Sequence, residues 1–108
     1  MSWWVSLRDD DETCCKVPLF SEGGTYSVGG SDEAELSVTY NYGREFAFGS
    51  LDGMTGEKSI PLLQEAVTRL GTVRVPDYWD PTPGNVGHAC NLLLSWARLH
   101  PKAKWHVW

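Results

Sequence analysis

DYWDPTPGNVGH, Asp77 to His88, is the stretch on which the reading of the fold turns. Thr82 followed by Pro83 marks a helix start: a hydroxyl that can accept from first-turn amides, then a residue whose missing N–H costs nothing at that position. Downstream, apolar residues recur at helical spacing. Val86, Ala89, Cys90, Leu93, Trp96 and Ala97 share one face, Leu92 and Leu99 widen it, and His88, Asn91, Ser95 and Arg98 lie opposite. A helix is therefore expected from Pro83 to about Leu99, ending before Pro101. Upstream, the aromatics and prolines form a rigid loop that delivers Tyr78 and Trp79 to the helix N-terminus.

Working back along the chain, Ser59 can cap an earlier helix with Pro61 in its first turn. Ile60, Leu63, Ala66, Val67 and Leu70 would form its buried stripe, and Gly71 would end it. Thr72 to Val75 reads as a short strand or an extended connection. Nearer the N-terminus the period becomes two. Ser2 to Arg8 reads as a strand with Trp3, Val5 and Leu7 on one face; the acidic run Asp9 to Glu12 is a solvated turn, and Thr13 to Pro18 is the expected partner strand. Gly23 to Gly30 is a short strand bracketed by glycines, and Glu35 to Tyr42 a longer, central one, with Leu36, Val38 and Tyr40 on one face. Phe46 and Phe48 continue the alternation briefly before the turn material GSLDGMTG, and Lys104 to Trp108 supplies a last strand. The expected fold is one α+β domain spanning residues 1–108, an antiparallel sheet of about four to six strands with two helices packed on one face.

Composition narrows the function classes. At 42% hydrophobic and 21% charged residues the chain has an ordinary globular make-up. It lacks a long apolar run and a signal-peptide core, so no membrane association and a cytoplasmic location are expected. Cys14 and Cys15 are adjacent and Cys90 is distant, which suits neither a disulfide framework nor a paired-cysteine zinc site. His88, His100 and His106 add no ligand spacing with Cys90, and the acidic run lacks the pattern of a calcium loop, so no metal and no cofactor are expected. Ser50 stands in the wrong position of its glycine-flanked turn for a nucleophile elbow, and no nucleophile, base and orienting group can be assembled. Catalysis is not expected. A net charge of −5 argues against general nucleic-acid binding. Nothing beyond Asp80 is acidic, however, and that segment carries Arg98, Lys102, Lys104 and every histidine, so an anion would be tolerated there.

Two groups of residues are candidates for binding. At the helix start, backbone N–H groups and the helix dipole suit a phosphate or carboxylate, with Thr82, Asn85 and His88 in the first turns and Tyr78 or Trp79 as a platform for a planar ring. An aspartate in place of Asn85 would favour the free helix end and repel a bound anion. In TYNYGR, Thr39 to Arg44, Asn41 stands between Tyr40 and Tyr42 and could read a base edge, while Arg44 could pair with an anion. The same residues can equally serve the fold, Trp79 in the core and the tyrosines as strand formers.

LSVTYNYG, SLDGMTGEKSIPLLQEAV, YWDPTPGN and LLLSWARLHPKAKW, taken in order, resemble a family of small uncharacterised proteins encoded in tailed-phage and prophage genomes. The resemblance runs from about Gly23 to Trp105 and is carried by the TYNY, LDG and YWxPTxGN elements. It implies expression in the cytoplasm of an infected bacterial host and supplies no site residues. Small phage proteins without enzyme motifs often antagonise host defence. The expected function is therefore a non-catalytic sponge for a small anionic signal, such as a cyclic or ADP-ribose-type nucleotide. The alternatives are an inhibitor that occupies a host defence protein such as a CRISPR nuclease, and a virion structural or assembly factor. Leu92, Leu99 and the surplus of tryptophans point to a homo-oligomer.

Overall fold

The computed structural model describes residues 1–20 and 30–108, and its architecture is α+β. In chain order it contains β1 (Ser2–Arg8), β2 (Lys16–Phe20), β3 (Ser31–Glu33), β4 (Glu35–Thr39), α1 (Gly56–Leu70), α2 (Pro83–Leu99) and β5 (Lys104–Val107), with short 3-10 turns over Tyr40–Arg44 and Phe48–Leu51. The strands form two antiparallel sheets rather than one: a three-stranded sheet in the order β4-β1-β5, and β2 paired with β3. The strand expected at Gly23 to Gly30 lies, but for Gly30, outside the described residues. Among the described residues no helix is long and apolar enough to cross a membrane.

β1 is central because its alternation serves two neighbours at once. Trp3 and Val5 face Val38 and Leu36 across one edge, and Leu7 faces Trp105 across the other. Side chains directly opposite in an antiparallel pair lie on the same face. The apolar side of the sheet so formed is buried in one cluster with Leu63 and Ala66 of α1 and Val86, Cys90, Leu93 and Trp96 of α2. With both edges of β1 occupied, the segment after the acidic turn cannot return along it. Only the bridge from Arg8 to Cys14 forms, and the chain departs as β2 to pair with β3. The acidic run is the expected turn, tightened by the Asp9 carboxylate, which accepts from the Asp11 and Thr13 amides at 3.0 and 3.1 Å.

β4 is an edge strand, not a central one, and it stops at Thr39 instead of Tyr42. The Thr39 hydroxyl accepts from the Asn41 amide at 3.2 Å and caps a 3-10 turn, which lifts Tyr40 out of the strand alternation. α1 also begins earlier than expected. Thr55, not Ser59, is its N-cap, accepting from the Lys58 amide, and this places Pro61 beyond the first turn. The start is set by packing: a methyl group on Gly56 would lie 2.7 Å from the His100 carbonyl oxygen, so glycine lets α1 begin directly against the end of α2. Ser59 is instead wholly buried, donating to the Gly56 carbonyl at 2.7 Å and accepting from the Trp105 indole at 2.8 Å. α2 spans the expected residues, with Thr82 as N-cap and Pro83 at its start.

Candidate functional site

Between Gly71 and α2 the chain takes no regular structure; it runs as an extended strap against the first turns of that helix. Two glycines permit the contact. A methyl group on Gly84 would come within 1.8 Å of the Val73 carbonyl oxygen, and one on Gly87 within 1.7 Å of the Gly71 carbonyl oxygen. Asn85, buried beneath the strap, fastens it: its side-chain oxygen accepts from the Val75 amide at 3.0 Å, and its side-chain nitrogen donates to the Asp77 and Asp80 carbonyls at 3.0 and 2.8 Å.

The strap then meets the edge of β4 through two tyrosines. The Tyr78 hydroxyl accepts from the Thr39 amide at 3.1 Å and donates to the Ser37 carbonyl at 3.0 Å, satisfying the main-chain groups that face away from β1. In return, the hydroxyl of the buried Tyr42 donates to the Tyr78 carbonyl, and the Asn41 side-chain nitrogen donates to the Trp79 carbonyl at 3.1 Å. The two aromatic elements singled out in the sequence therefore converge, as a mutual clamp.

The clamp borders a cavity of about 310 Å³ that is partly open to solvent. Leu36, Val38 and Tyr42 form one wall; Arg74, Val75, Pro76 and Tyr78 come from the strap; Asn85, His88 and Ala89 come from α2. Of the expected binding residues, Tyr42, Tyr78, Asn85 and His88 are brought together here. Tyr40, Asn41, Arg44, Trp79 and Thr82 do not line the cavity. Tyr40 lies edge-on to Trp3, Trp79 edge-on to Tyr78 with its ring partly exposed, and Arg44 is exposed at the end of its turn.

The helix end itself is not the open anion site that the sequence suggests. Pro83 has no N–H, the Asn85 amide is capped by the Thr82 hydroxyl at 3.2 Å, the Val86 amide reaches the Thr82 carbonyl at 3.1 Å, and the strap packs over Gly84. Asn85 is likewise a fastener whose amide is engaged on both sides, so its expected place as an anion neighbour becomes a structural one. Arg74, Val75 and Pro76 escaped the sequence reading because they lie in an unpatterned connection. Leu36, Val38 and Ala89 were legible only as core positions.

The charge at the cavity is distinctive. Among the described residues its ionisable side chains apart from the two tyrosines are Arg74 and His88, and none of them is a carboxylate, although the chain carries 14 acidic residues against 9 lysines and arginines. Arg74 is exposed to solvent, and a cleft lined by one sign of charge attracts the opposite sign. A separate cluster, Cys14, Glu33 and Glu35, gathers three potential ligand atoms within 4.8 Å of one another. The Cys14 thiol is pushed above its ordinary range by burial and then by the Glu35 carboxylate, to which it donates at 3.8 Å. Lys16 stands 3.5 Å from Glu33 as its counter-charge. Cys14 precedes Glu35 by 21 residues, and nothing in the sequence signals that they meet.

No protein-family model, no curated protein and no solved structure matches the chain.

Proposed function

We propose that this protein binds and sequesters a small anionic ligand without turning it over. The observation that carries the reading is the cavity beneath the strap, lined by a guanidinium and an imidazole, by aromatic and aliphatic side chains, and, among the described residues, by no carboxylate. Ligand sites are mostly apolar hollows with a few convergent polar groups. Among the described residues the lining holds no serine, cysteine, lysine or carboxylate, and the tyrosine hydroxyls in it are bonded to main-chain groups, which supports binding over catalysis. On the resemblance to phage-encoded proteins, we place this activity in the cytoplasm of an infected bacterium, as an antagonist of a nucleotide-type defence signal. Leu99, exposed on α2, with the partly buried Leu92 beside it, is the surface we assign to a second copy in a homo-oligomer.

Native mass spectrometry of the protein taken from bacteria with an active signalling defence tests the reading, because it weighs subunits and retained ligand together. The expected result is an oligomer carrying a stoichiometric small anion that heat denaturation releases unchanged. Release of a cleaved product would make the protein an enzyme. A ligand-free protein that also gives no calorimetric response to nucleotides would refute the binding reading. One feature favours a protein target in that event: Tyr40 and Trp79, each with about two-fifths of its surface exposed, flank Asn41 outside the cavity, and exposed aromatics of this kind anchor protein interfaces.

A further inference from the structure

We infer, on the binding reading given above, that the ligand is one planar unit of mononucleotide size or smaller. It bears a single phosphate or carboxylate held by Arg74, which excludes a cyclic dinucleotide or an ADP-ribose-type molecule. Size comes first. The cavity, at about 310 Å³, stands at the small end of the roughly 300–1,000 Å³ that ligand sites span. Two nucleosides joined through phosphates need a site toward the other end of that range.

Charge comes second. Among the described residues Arg74 is the one permanently charged side chain in the lining, and with His88 it makes that part of the wall attractive to an anion in a protein of net charge −5. A single guanidinium matches a single anionic group by a paired, charge-assisted contact. A diphosphate would bring further negative charge with no second permanent cation to meet it.

The walls supply the third constraint. The Tyr42 and Tyr78 hydroxyls and the Asn85 amide all bond to main-chain groups, so these residues present the ligand chiefly with ring faces and side-chain edges. Leu36, Val38 and Val75 add aliphatic surface. Such walls accept a flat body by shape and contact. They read its ring heteroatoms poorly, so purine identity should matter much less than the anion.

Isothermal titration calorimetry with adenosine 5′-monophosphate, adenosine, inosine 5′-monophosphate, indole-3-acetate, cyclic di-adenylate and ADP-ribose tests this, using wild type, Arg74→Gln and Ala89→Phe. Wild type should bind the monophosphates within a few-fold of each other and adenosine at least tenfold more weakly. Indole-3-acetate shows whether a carboxylate serves as well as a phosphate. Arg74→Gln, an exposed position whose circular dichroism should be unchanged, should lose about tenfold toward the anions and nothing toward adenosine. Ala89→Phe fills the cavity and should remove binding of all of them. Tighter binding of cyclic di-adenylate or ADP-ribose than of the monophosphate would overturn the inference while leaving sequestration standing. So would an unchanged preference for the monophosphate over adenosine in Arg74→Gln. No heat from any probe with wild type would overturn the binding reading itself.

Discussion

At the β5 edge of the three-stranded sheet main chain meets main chain, whereas at the β4 edge a tyrosine ring stands in between. Along β5 the Gly53 amide donates to the Trp105 carbonyl at 2.9 Å, the Trp105 amide to the Met54 carbonyl at 2.8 Å, and the Asp52 carboxylate takes the Val107 amide at 2.9 Å. The turn lies directly on the strand and leaves no room. At β4 the same need, to satisfy main-chain groups that face away from the sheet, is met by the Tyr78 hydroxyl reaching Thr39 and Ser37. A ring's length then separates the strap from the strand, and the cavity occupies that gap. One physical problem, an unpaired sheet edge, thus has a sealing solution and a space-making one.

The largest test of this comparison is Asn85→Asp. Read as an isolated helix end, the change should stabilise by a few tenths to about 1 kcal/mol through the dipole. In the folded protein the side-chain nitrogen donates to the Asp77 and Asp80 carbonyls, and an aspartate would set carboxylate oxygen against both. We expect a loss of about 3 kcal/mol in denaturant unfolding at neutral pH, together with release of the strap. A melting temperature equal to or above wild type would show that the strap is not held as described.

Tyr78→Phe comes next. It removes the hydroxyl from between the Thr39 amide and the Ser37 carbonyl and should cost about 2 kcal/mol, with faster amide exchange at Thr39. Unchanged exchange at that amide would mean that the ring is not the closing element of the edge.

Cys90 probes the helix that backs the cavity. Burial pushes its thiol up to about 12 from 9.0, against the opposing pull of the Arg69 charge. A folded pKa raised above the unfolded value gives stability that is complete below about pH 9 and falls as pH rises toward 12. Wild type should therefore lose up to about 1.4 kcal/mol per pH unit above pH 9 through this group, and Cys90→Ala should lose correspondingly less. Parallel alkaline curves for the two proteins would contradict the buried thiol.

The smallest effect belongs to the sealed edge. Asp52 is exposed, and water can replace its carboxylate at the Val107 amide, so Asp52→Ala should cost about 0.5 kcal/mol and leave the ligand measurements untouched. A cost equal to that of Tyr78→Phe would erase the distinction between the edges.

The α+β class, β1, the whole of α2 with its Thr82 cap, and β5 are determined by short-range pattern: period two, period 3.6, and a capping hydroxyl before a proline. Each needs only neighbours within a few residues, so the sequence by itself determined them. The edge position of β4, the division into two sheets and the start of α1 depend on which segments reach β1 and α2 first. The same holds for the site. Tyr42, Tyr78 and His88 were visible as chemistry, but Arg74 in an unpatterned connection was not, and Asn85 looked like a ligand neighbour until its bonds to the strap were seen. Only the tertiary structure decided that the strap crosses α2 at Gly84 and Gly87 and that a tyrosine from one end of it closes a strand some forty residues earlier. The reason is that a hydroxyl's partner and a cavity's walls are fixed by long-range packing, which local propensity does not encode.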